Sequence, residues 1–168
     1  PYPPPLEYIP KSGGLFRDMM IHDFDMARWM LGEEPTSIHS RGSCLVDPGI
    51  GKAGDIDTAA VTLRTRSGRI AQIVNSRRAA FGYDQRIEVC GARGMLAAGN
   101  RRATSVEHAT TAGYCRDPAL PFFLERYADA YRLELDAFVR RLHGETADIV
   151  EGRDGIRALE IADAADRS

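Results

Sequence analysis

The sequence predicts an α+β domain, in which helices pack on one face of a large, mostly antiparallel, open sheet. Two observations carry this prediction. The middle of the chain alternates apolar and polar residues as half-buried strands do, whereas both ends place apolar residues at helical spacing. Short turns separate the alternating segments, and strands joined by short turns pair in an antiparallel sense. A helix before such a sheet and helices after it are typical of the α+β class.

Each element follows from its own local pattern. Helical spacing predicts helices over 16–31, 122–143 and 153–167. Alternation predicts strands at 36–46, 56–66, 69–78, 85–90, 95–98 and 103–109. Gly32 ends the first helix, and Ser67-Gly68 is a two-residue hairpin signal between two strands. The Pro-rich residues 1–12 are expected to be extended.

Composition excludes several classes of protein. The 168 residues carry a net charge of -2 and are 43% apolar, which fits one globular domain over 1–168 and argues against a nucleic-acid partner. No apolar run reaches the roughly 18 residues of a membrane-spanning helix, so no membrane contact is expected. Three cysteines without CxxC spacing predict a reduced, cytoplasmic protein. The chain starts without Met and stops inside a predicted helix, so we expect it to be part of a longer protein.

One glycine motif is misleading. Residues 49–54, GIGKAG, match the GxGxxG pattern of dinucleotide-binding proteins. That fingerprint needs a strand before it and a helix after it, because the pyrophosphate sits on the helix N-terminus. Here a predicted strand follows the glycines. The segment is therefore expected to be a flexible hairpin loop that binds no cofactor.

The strongest chemical signal is the pair Asp18 and His22. Their i,i+4 spacing places a carboxylate beside an imidazole on one helical face, and this arrangement suits a general base. The structural alternative is a surface ion pair or a satisfied, partly buried pair. A metal site using Asp18, His22, Asp23 or Asp25 is a further option. It is disfavoured because Asp23 points about 100° away from His22 around the helix, so no metal is expected.

The other polar candidates carry less information. His39, His108 and His143 are interpreted as structural, and Arg77-Arg78 as a solvated strand end.

Among the tyrosines, Tyr83 lies between two strands, where it either lines a cleft or covers the sheet edge. Tyr127 and Tyr131 are one turn apart on a helix, where packing into the core is the default for aromatic side chains.

Several stretches together resemble one family. They are SGGLFRDMMIHDFDMARWMLGEEP, GDIDTAAVTLRTRSGRIAQIVNSRR, FGYDQRIEVCGARGML, FFLERYADAYRLELDAFVRRL and EGRDGIRALEIADAADRS. In order and spacing they resemble the substrate domain of the glucose–fructose oxidoreductase/inositol dehydrogenase family, and in particular its bacterial myo-inositol 2-dehydrogenases. The resemblance covers nearly the whole chain.

The resemblance implies an architecture. Similar proteins have an N-terminal Rossmann domain that binds NAD or NADP, and a C-terminal α+β domain with an open sheet. This chain resembles the C-terminal domain, so NAD would be bound mainly by a domain outside it. The family's catalytic Lys, in a Glu-Lys-Pro motif, has no counterpart here. The free face of the sheet implies a homo-oligomer, either a dimer or a tetramer.

The resemblance also implies roles for residues. The family's D-x-x-x-H pair falls on Asp18 and His22. His22 would take the proton of a substrate hydroxyl, and Asp18 would orient His22 and hold a hydroxyl of the polyol. Tyr83 and Tyr131 are similar to tyrosines near the substrate. The expected reaction is oxidation of a secondary alcohol of myo-inositol, or of a related cyclitol or sugar, to the ketone.

Two other functions compete with this one. A stand-alone, non-catalytic sheet domain that serves oligomerisation would assemble without nucleotide affinity. A metal-assisted sugar isomerase or lyase would use the same acidic helix and lose activity in a chelator.

Overall fold

The computed structural model describes residues 2–168. These residues form two compact units. The helix–sheet unit comprises Pro3–Arg78 and Val150–Ser168, and the hairpin unit comprises Ala79–Ile149 with Tyr2. The sequence predicted a single domain over 1–168, and each unit has its own strands and helices.

The elements in chain order are α1 (Ile9–Ser12), a π-helical segment (Phe16–Met20), α2 (Ile21–Leu31), β1 (Pro35–Ser43), α3 (Pro48–Lys52), β2 (Thr58–Thr65), β3 (Ile70–Ser76), β4 (Ile87–Gly91), β5 (Gly94–Ala98), β6 (Glu107–Thr110), β7 (Gly113–Arg116), α4 (Phe123–Arg126), α5 (Ala128–Leu142) and α6 (Gly152–Arg167). The elements up to β3, together with α6, belong to the helix–sheet unit, and β4 to α5 belong to the hairpin unit.

The helix–sheet unit is built on an antiparallel sheet in the order β1-β2-β3. Alternate residues of β2 are buried, so one face of the strand points into the core. The core residues are Leu15, Phe16, Met20, Phe24, Ala27, Ala59, Val61, Leu63, Ala162 and Ala165. Full burial of each large apolar side chain contributes about 1.5–3 kcal/mol. Helices therefore cover one face of this sheet, as the sequence predicted.

The predicted end of the first helix and the predicted hairpin turn are both confirmed. Gly32 ends α2 with φ +63°, and its N–H donates to the carbonyls of Arg28 and Trp29. The turn between β2 and β3 has Gly68 at φ +90°, and the N–H of Thr65 donates to the carbonyl of Arg69 at 2.9 Å. A residue with a side chain is strained at such positive φ values, so glycine suits both positions.

The hairpin unit consists of two antiparallel hairpins and two helices. β4 pairs with β5, and β6 pairs with β7. The prediction of one helix over 122–143 is wrong in one respect: Tyr127, at φ -109° and ψ 13°, separates α4 from α5. The predicted strand 103–109 is also shifted. It corresponds to β6, whose partner β7 follows the turn before Gly113 and was not predicted.

The α+β class is confirmed, but the size of the sheet differs from the prediction. The described residues form one three-stranded sheet and two two-stranded hairpins instead of one large sheet. Irregular connections interrupt the strand order, and Gly82 lies in one of them at φ +122°. Each hairpin pairs within itself through a short turn. The alternating pattern predicts strands, but it does not say which strand edges pair.

Two short helices lie where the sequence predicted none. The lead over 1–12 was expected to be extended, but α1 forms there with Pro10 in its first turn. The glycine segment 49–54 was expected to be a flexible loop, but α3 occupies its first four residues. The Asp47 carboxylate caps α3 by accepting the N–H of Gly49 at 2.8 Å.

Across residues 2–168, no helix is both long enough and apolar enough to span a lipid bilayer.

Candidate functional site

Asp18 and His22 lie on the two sides of a change in helix type. Asp18 belongs to the π-helical segment, and His22 belongs to the first turn of α2. Hydrogen bonds in a π-helix run from i to i+5, so its turn is wider than that of an α-helix. Between these two described residues there is no hydrogen bond or ion pair. The expectation that Asp18 orients His22 through a direct contact is therefore not met in this structure.

The Asp18 carboxylate has other partners on both of its oxygens. Oδ2 accepts a hydrogen bond from Nη1 of Arg77 at 2.8 Å, and Oδ1 accepts one from the Tyr8 hydroxyl at 2.7 Å. The side chain of Asp18 is 17% exposed, whereas Tyr8 is 45% exposed. Asp18 thus lies between a buried guanidinium and a phenol at the surface.

Arg77 is the residue that sequence reasoning assigned wrongly. It was expected at a solvated strand end, but its side chain is only 3% exposed. Nη2 contacts Oδ2 of Asp55 at 3.1 Å, and Oδ1 of Asp55 accepts the N–H of Leu15 at 3.0 Å. We call Asp18, Asp55 and Arg77 the arginine cluster. The cluster ties the end of β3 to the helical segment that carries Asp18.

The buried residue Asp57 supports the backbone of Arg77 through its own backbone carbonyl. The carbonyl of Asp57 accepts the N–H of Arg77 at 2.8 Å. Three consecutive backbone N–H groups and the Thr58 hydroxyl bond to the Asp57 carboxylate. The N–H donors are Leu45 (2.8 Å), Val46 (2.8 Å) and Asp47 (2.9 Å). Burial acts to raise the pKa of Asp57, but these donors outweigh it and lower the pKa to about 2. Asp57 therefore stays ionised and fixes the loop after β1.

The Tyr8 phenol remains a hydrogen-bond donor over a wide pH range. Its hydrogen bond to Asp18, followed by the negative charge of Asp18, raises the pKa of Tyr8 above its ordinary value. A protonated phenol can donate to the carboxylate, whereas a phenolate would repel it. Tyr8 is a member of this site that the sequence did not indicate, because it lies in the Pro-rich lead.

His22 is exposed at the start of α2, next to a further polar contact. Nδ2 of Asn75 donates to Oδ2 of Asp23 at 3.0 Å. Arg77 directly follows β3 and is two residues after Asn75, and both side chains contact carboxylates of the helical segment and α2. The helix–sheet unit thus presents an exposed imidazole close in sequence to two carboxylates held by β3. Such a set can accept a proton and hydrogen-bond the hydroxyls of a polar ligand.

The tyrosines of the hairpin unit form a row of ring contacts. The rings of Tyr83 and Tyr127 meet edge to face at a centroid distance of 5.8 Å, and those of Tyr127 and Tyr131 at 6.5 Å. Tyr131 is 48% exposed, so the default expectation of core packing is wrong for it. That Tyr83 and Tyr131 contact a substrate stays a prediction.

The glycine segment does not fit a dinucleotide. α3 spans only Pro48–Lys52 and leads back into the sheet at β2. A Cβ on Gly49 would meet the Leu6 side chain at 2.8 Å, and one on Gly51 would meet Sγ of Cys44 at 3.1 Å. Side chains of the chain itself, and not a phosphate-sized opening, lie against these glycines. The glycines therefore allow α3 to pack against Leu6 and Cys44.

A family model described as the GFO/IDH/MocA C-terminal domain matches residues 2–97, which include both Asp18 and His22 as well as the arginine cluster. The chain belongs to this family. The resemblance drawn from the sequence is therefore confirmed. The GFO/IDH/MocA match covers more than half of the chain and most of the helix–sheet unit.

Individual relatives extend the similarity to the whole chain. Inositol 2-dehydrogenase of Rhizobium meliloti (strain 1021) is 52% identical over 168 residues, which are 100% of this chain and 51% of that protein. A myo-inositol dehydrogenase structure from Corynebacterium glutamicum ATCC 13032 has a TM-score of 0.94 and 41% identity, over 100% of this chain and 50% of that one. Scyllo-inositol dehydrogenase from Lactobacillus casei, with bound cofactor NAD(H) and scyllo-inositol, has a TM-score of 0.85 and 32% identity, over 96% of this chain and 48% of that one. The chain thus spans about half the length of these relatives.

The structure accounts for the inward direction of Arg77, which the sequence left open because apolar Ile70 and Val74 have the opposite parity. Ile73 and Asn75 of β3 and Arg77, one residue beyond the strand, have the same parity, and Ile73 packs against the core. A strand places residues of one parity on one face, so Arg77 points inward. A buried arginine needs carboxylate partners, and Asp18 and Asp55 are the ones it has.

Proposed function

We propose that this chain is the substrate-binding and catalytic half of an NAD-dependent polyol dehydrogenase. The substrate is myo-inositol or a related cyclitol or sugar, and the product is the corresponding ketone. One observation carries the proposal: an exposed histidine follows, by one helical turn, a carboxylate held by a buried arginine, in a chain similar to inositol dehydrogenases over its full length.

The reaction needs a base that takes a proton and an oxidant that takes a hydride. Oxidation of a secondary alcohol removes a proton from the hydroxyl and a hydride from the carbon, which leaves a ketone. His22 accepts the proton, since histidine is the side chain that most readily exchanges protons near neutral pH. Asp18 accepts a hydrogen bond from a hydroxyl of the polyol. A nicotinamide cofactor, when bound, would supply the hydride acceptor.

We further propose that the nicotinamide cofactor is bound mainly by an N-terminal domain outside this chain. The misfit of the glycine segment to a dinucleotide supports this. The Lactobacillus casei relative, of which this chain covers 48%, has NAD(H) bound. The residues that distinguish NAD from NADP would belong to that domain.

Assembly and location belong to the same proposal. The face of the β1-β2-β3 sheet away from the helices exposes Ile70 and Val74, and a dimer or tetramer would cover it. Cys44, Cys90 and Cys115 are free thiols, which supports a reducing, cytoplasmic location.

Reduction of NAD and NADP by the native gene product that contains this chain tests the proposal. We expect absorbance of the reduced nicotinamide to appear with at least one of myo-inositol, scyllo-inositol and glucose. Because the cyclitol ring presents the reacting alcohol, omission of the polyol should abolish the signal. Purified protein that reduces neither cofactor with any cyclitol or sugar would contradict the proposal. Assembly that is unchanged by loss of both Asp18 and His22, in such an inactive protein, would favour the oligomerisation domain instead.

A further inference from the structure

Arg77 is a buried charge that no step of the proposed reaction uses. Its side chain is 3% exposed, and removal of a guanidinium from water is costly unless it is paired and hydrogen-bonded. It has two carboxylate partners on different parts of the chain, Asp18 before the sheet and Asp55 after β1. One of these partners, Asp18, precedes the exposed His22 by four residues, a relation that a role in stability alone does not require.

The geometry of Arg77 restrains Asp18 from several directions. The two terminal nitrogens of the planar guanidinium reach one carboxylate each, Asp18 at 2.8 Å and Asp55 at 3.1 Å. Asp55 in turn accepts the N–H of Leu15, directly before the π-helical segment. The N–H of Arg77 is bonded to the carbonyl of Asp57. Arg77 is thus held at its backbone N–H by Asp57 and at Nη2 by Asp55, and its Nη1 is directed at Asp18.

The two oxygens of Asp18 are consequently not equivalent. Oδ2 is held by the buried Arg77, and Oδ1 is the oxygen that accepts from the exposed Tyr8. A carboxylate oxygen has lone pairs for more than one donor, so Oδ1 can accept a hydroxyl beside or in place of the Tyr8 phenol. Rotation of Asp18 would exchange the two oxygens, and the bond to Arg77 opposes that rotation.

We propose that Arg77 is a positioning residue for the polyol: it holds Asp18 in the orientation that presents Oδ1 to a substrate hydroxyl. This inference rests on the proposed function. Arg77 itself touches no reacting atom and acts through Asp18. A lysine cannot replace it, because a single ammonium group lacks the planar fork that reaches two carboxylates at once.

Kinetics and binding in the native gene product test this role. The variants are Arg77→Lys, Asp18→Asn and the double variant, and Arg78→Lys is the matched control because Arg78 is exposed and outside the arginine cluster. We expect Arg77→Lys to lower kcat/KM by roughly 10- to 100-fold, since small misplacements of a binding group have effects of that size. Calorimetry should show weaker binding of myo-inositol, while binding of NAD is unchanged. Arg78→Lys should stay within about twofold of wild type.

The double variant separates positioning from a general structural role. If Arg77 acts through Asp18, then adding Arg77→Lys to Asp18→Asn should lower kcat/KM by less than about threefold more, because coupled residues are not additive. Losses that multiply in the double variant would overturn the inference, and so would wild-type kcat/KM and myo-inositol affinity in Arg77→Lys. If the Arg77→Lys variant no longer binds NAD, or if its circular dichroism spectrum is that of an unfolded protein, the role of Arg77 is structural and the inference is wrong. A wild-type protein without polyol-dependent NAD reduction would overturn the proposed function as well, whereas the other outcomes leave that function standing.

Discussion

Replacement of His22 by Gln in the native gene product is expected to lower kcat for polyol oxidation by roughly 10²- to 10⁴-fold, the range that a general base contributes. The amide of Gln is similar in size and polarity but takes up no proton. His22 is exposed, and within residues 2–168 its side chain has no hydrogen bond or ion pair, so folding should be unaffected. Steady-state reduction of NAD and urea unfolding measure the two effects.

His39→Gln is the matched control for this variant. His39 is also exposed, but it lies on β1 away from the arginine cluster. Turnover by His39→Gln should equal that of wild type. Equal turnover by His22→Gln and wild type would remove His22 from the role of base, and a similar loss in both variants would indicate a nonspecific effect.

Substitution of Arg77 by Met is expected to lower the free energy of unfolding of this chain by about 3–5 kcal/mol, the loss typical of breaking a buried ion pair from one side. Methionine fills much of the space but leaves Asp18 and Asp55 without a cation. Their side chains are 17% and 11% exposed, so water replaces the guanidinium only in part. Urea denaturation followed by circular dichroism gives the value.

Arg78→Met controls for the loss of one positive charge from the same stretch of chain. Its side chain is exposed, so the expected change is within about 0.5 kcal/mol. If Arg77→Met lost less than about 1 kcal/mol, the pairing of Arg77 with the two carboxylates would contribute little to stability.

Sequence patterns predicted the long elements well and the short ones poorly. β2 and α6 have enough residues for their periods to be read, and the structure has them within a few positions of the prediction. α3 has a single turn and therefore no period. Its signal was instead local, an Asp47 cap followed by Pro48, and the glycines around it obscured that signal. The division into a sheet and two hairpins depends on which strand edges meet, which alternation does not encode.

The site shows a similar division. Spacing alone singled out Asp18 and His22. An i,i+4 pair lies on one face of an α-helix, but Asp18 lies in a π-helical turn. The partners of Asp18 come from distant parts of the chain, Tyr8 and Arg77, and no local pattern joins them. The parity of β3 left the direction of Arg77 open, because Ile73 on its face and Val74 on the other are both apolar. Tyr8 lies in a segment without periodicity.

The central claim is that the protein containing this chain takes hydride from a secondary alcohol. Transfer of deuterium from the polyol to the nicotinamide tests this claim most directly. The native gene product is incubated with NAD and with myo-inositol deuterated at carbon 2, the position given in the name of the related inositol 2-dehydrogenase. We predict that the NADH recovered, analysed by mass spectrometry, carries deuterium on its nicotinamide ring. NADH that forms without the label would contradict the claim.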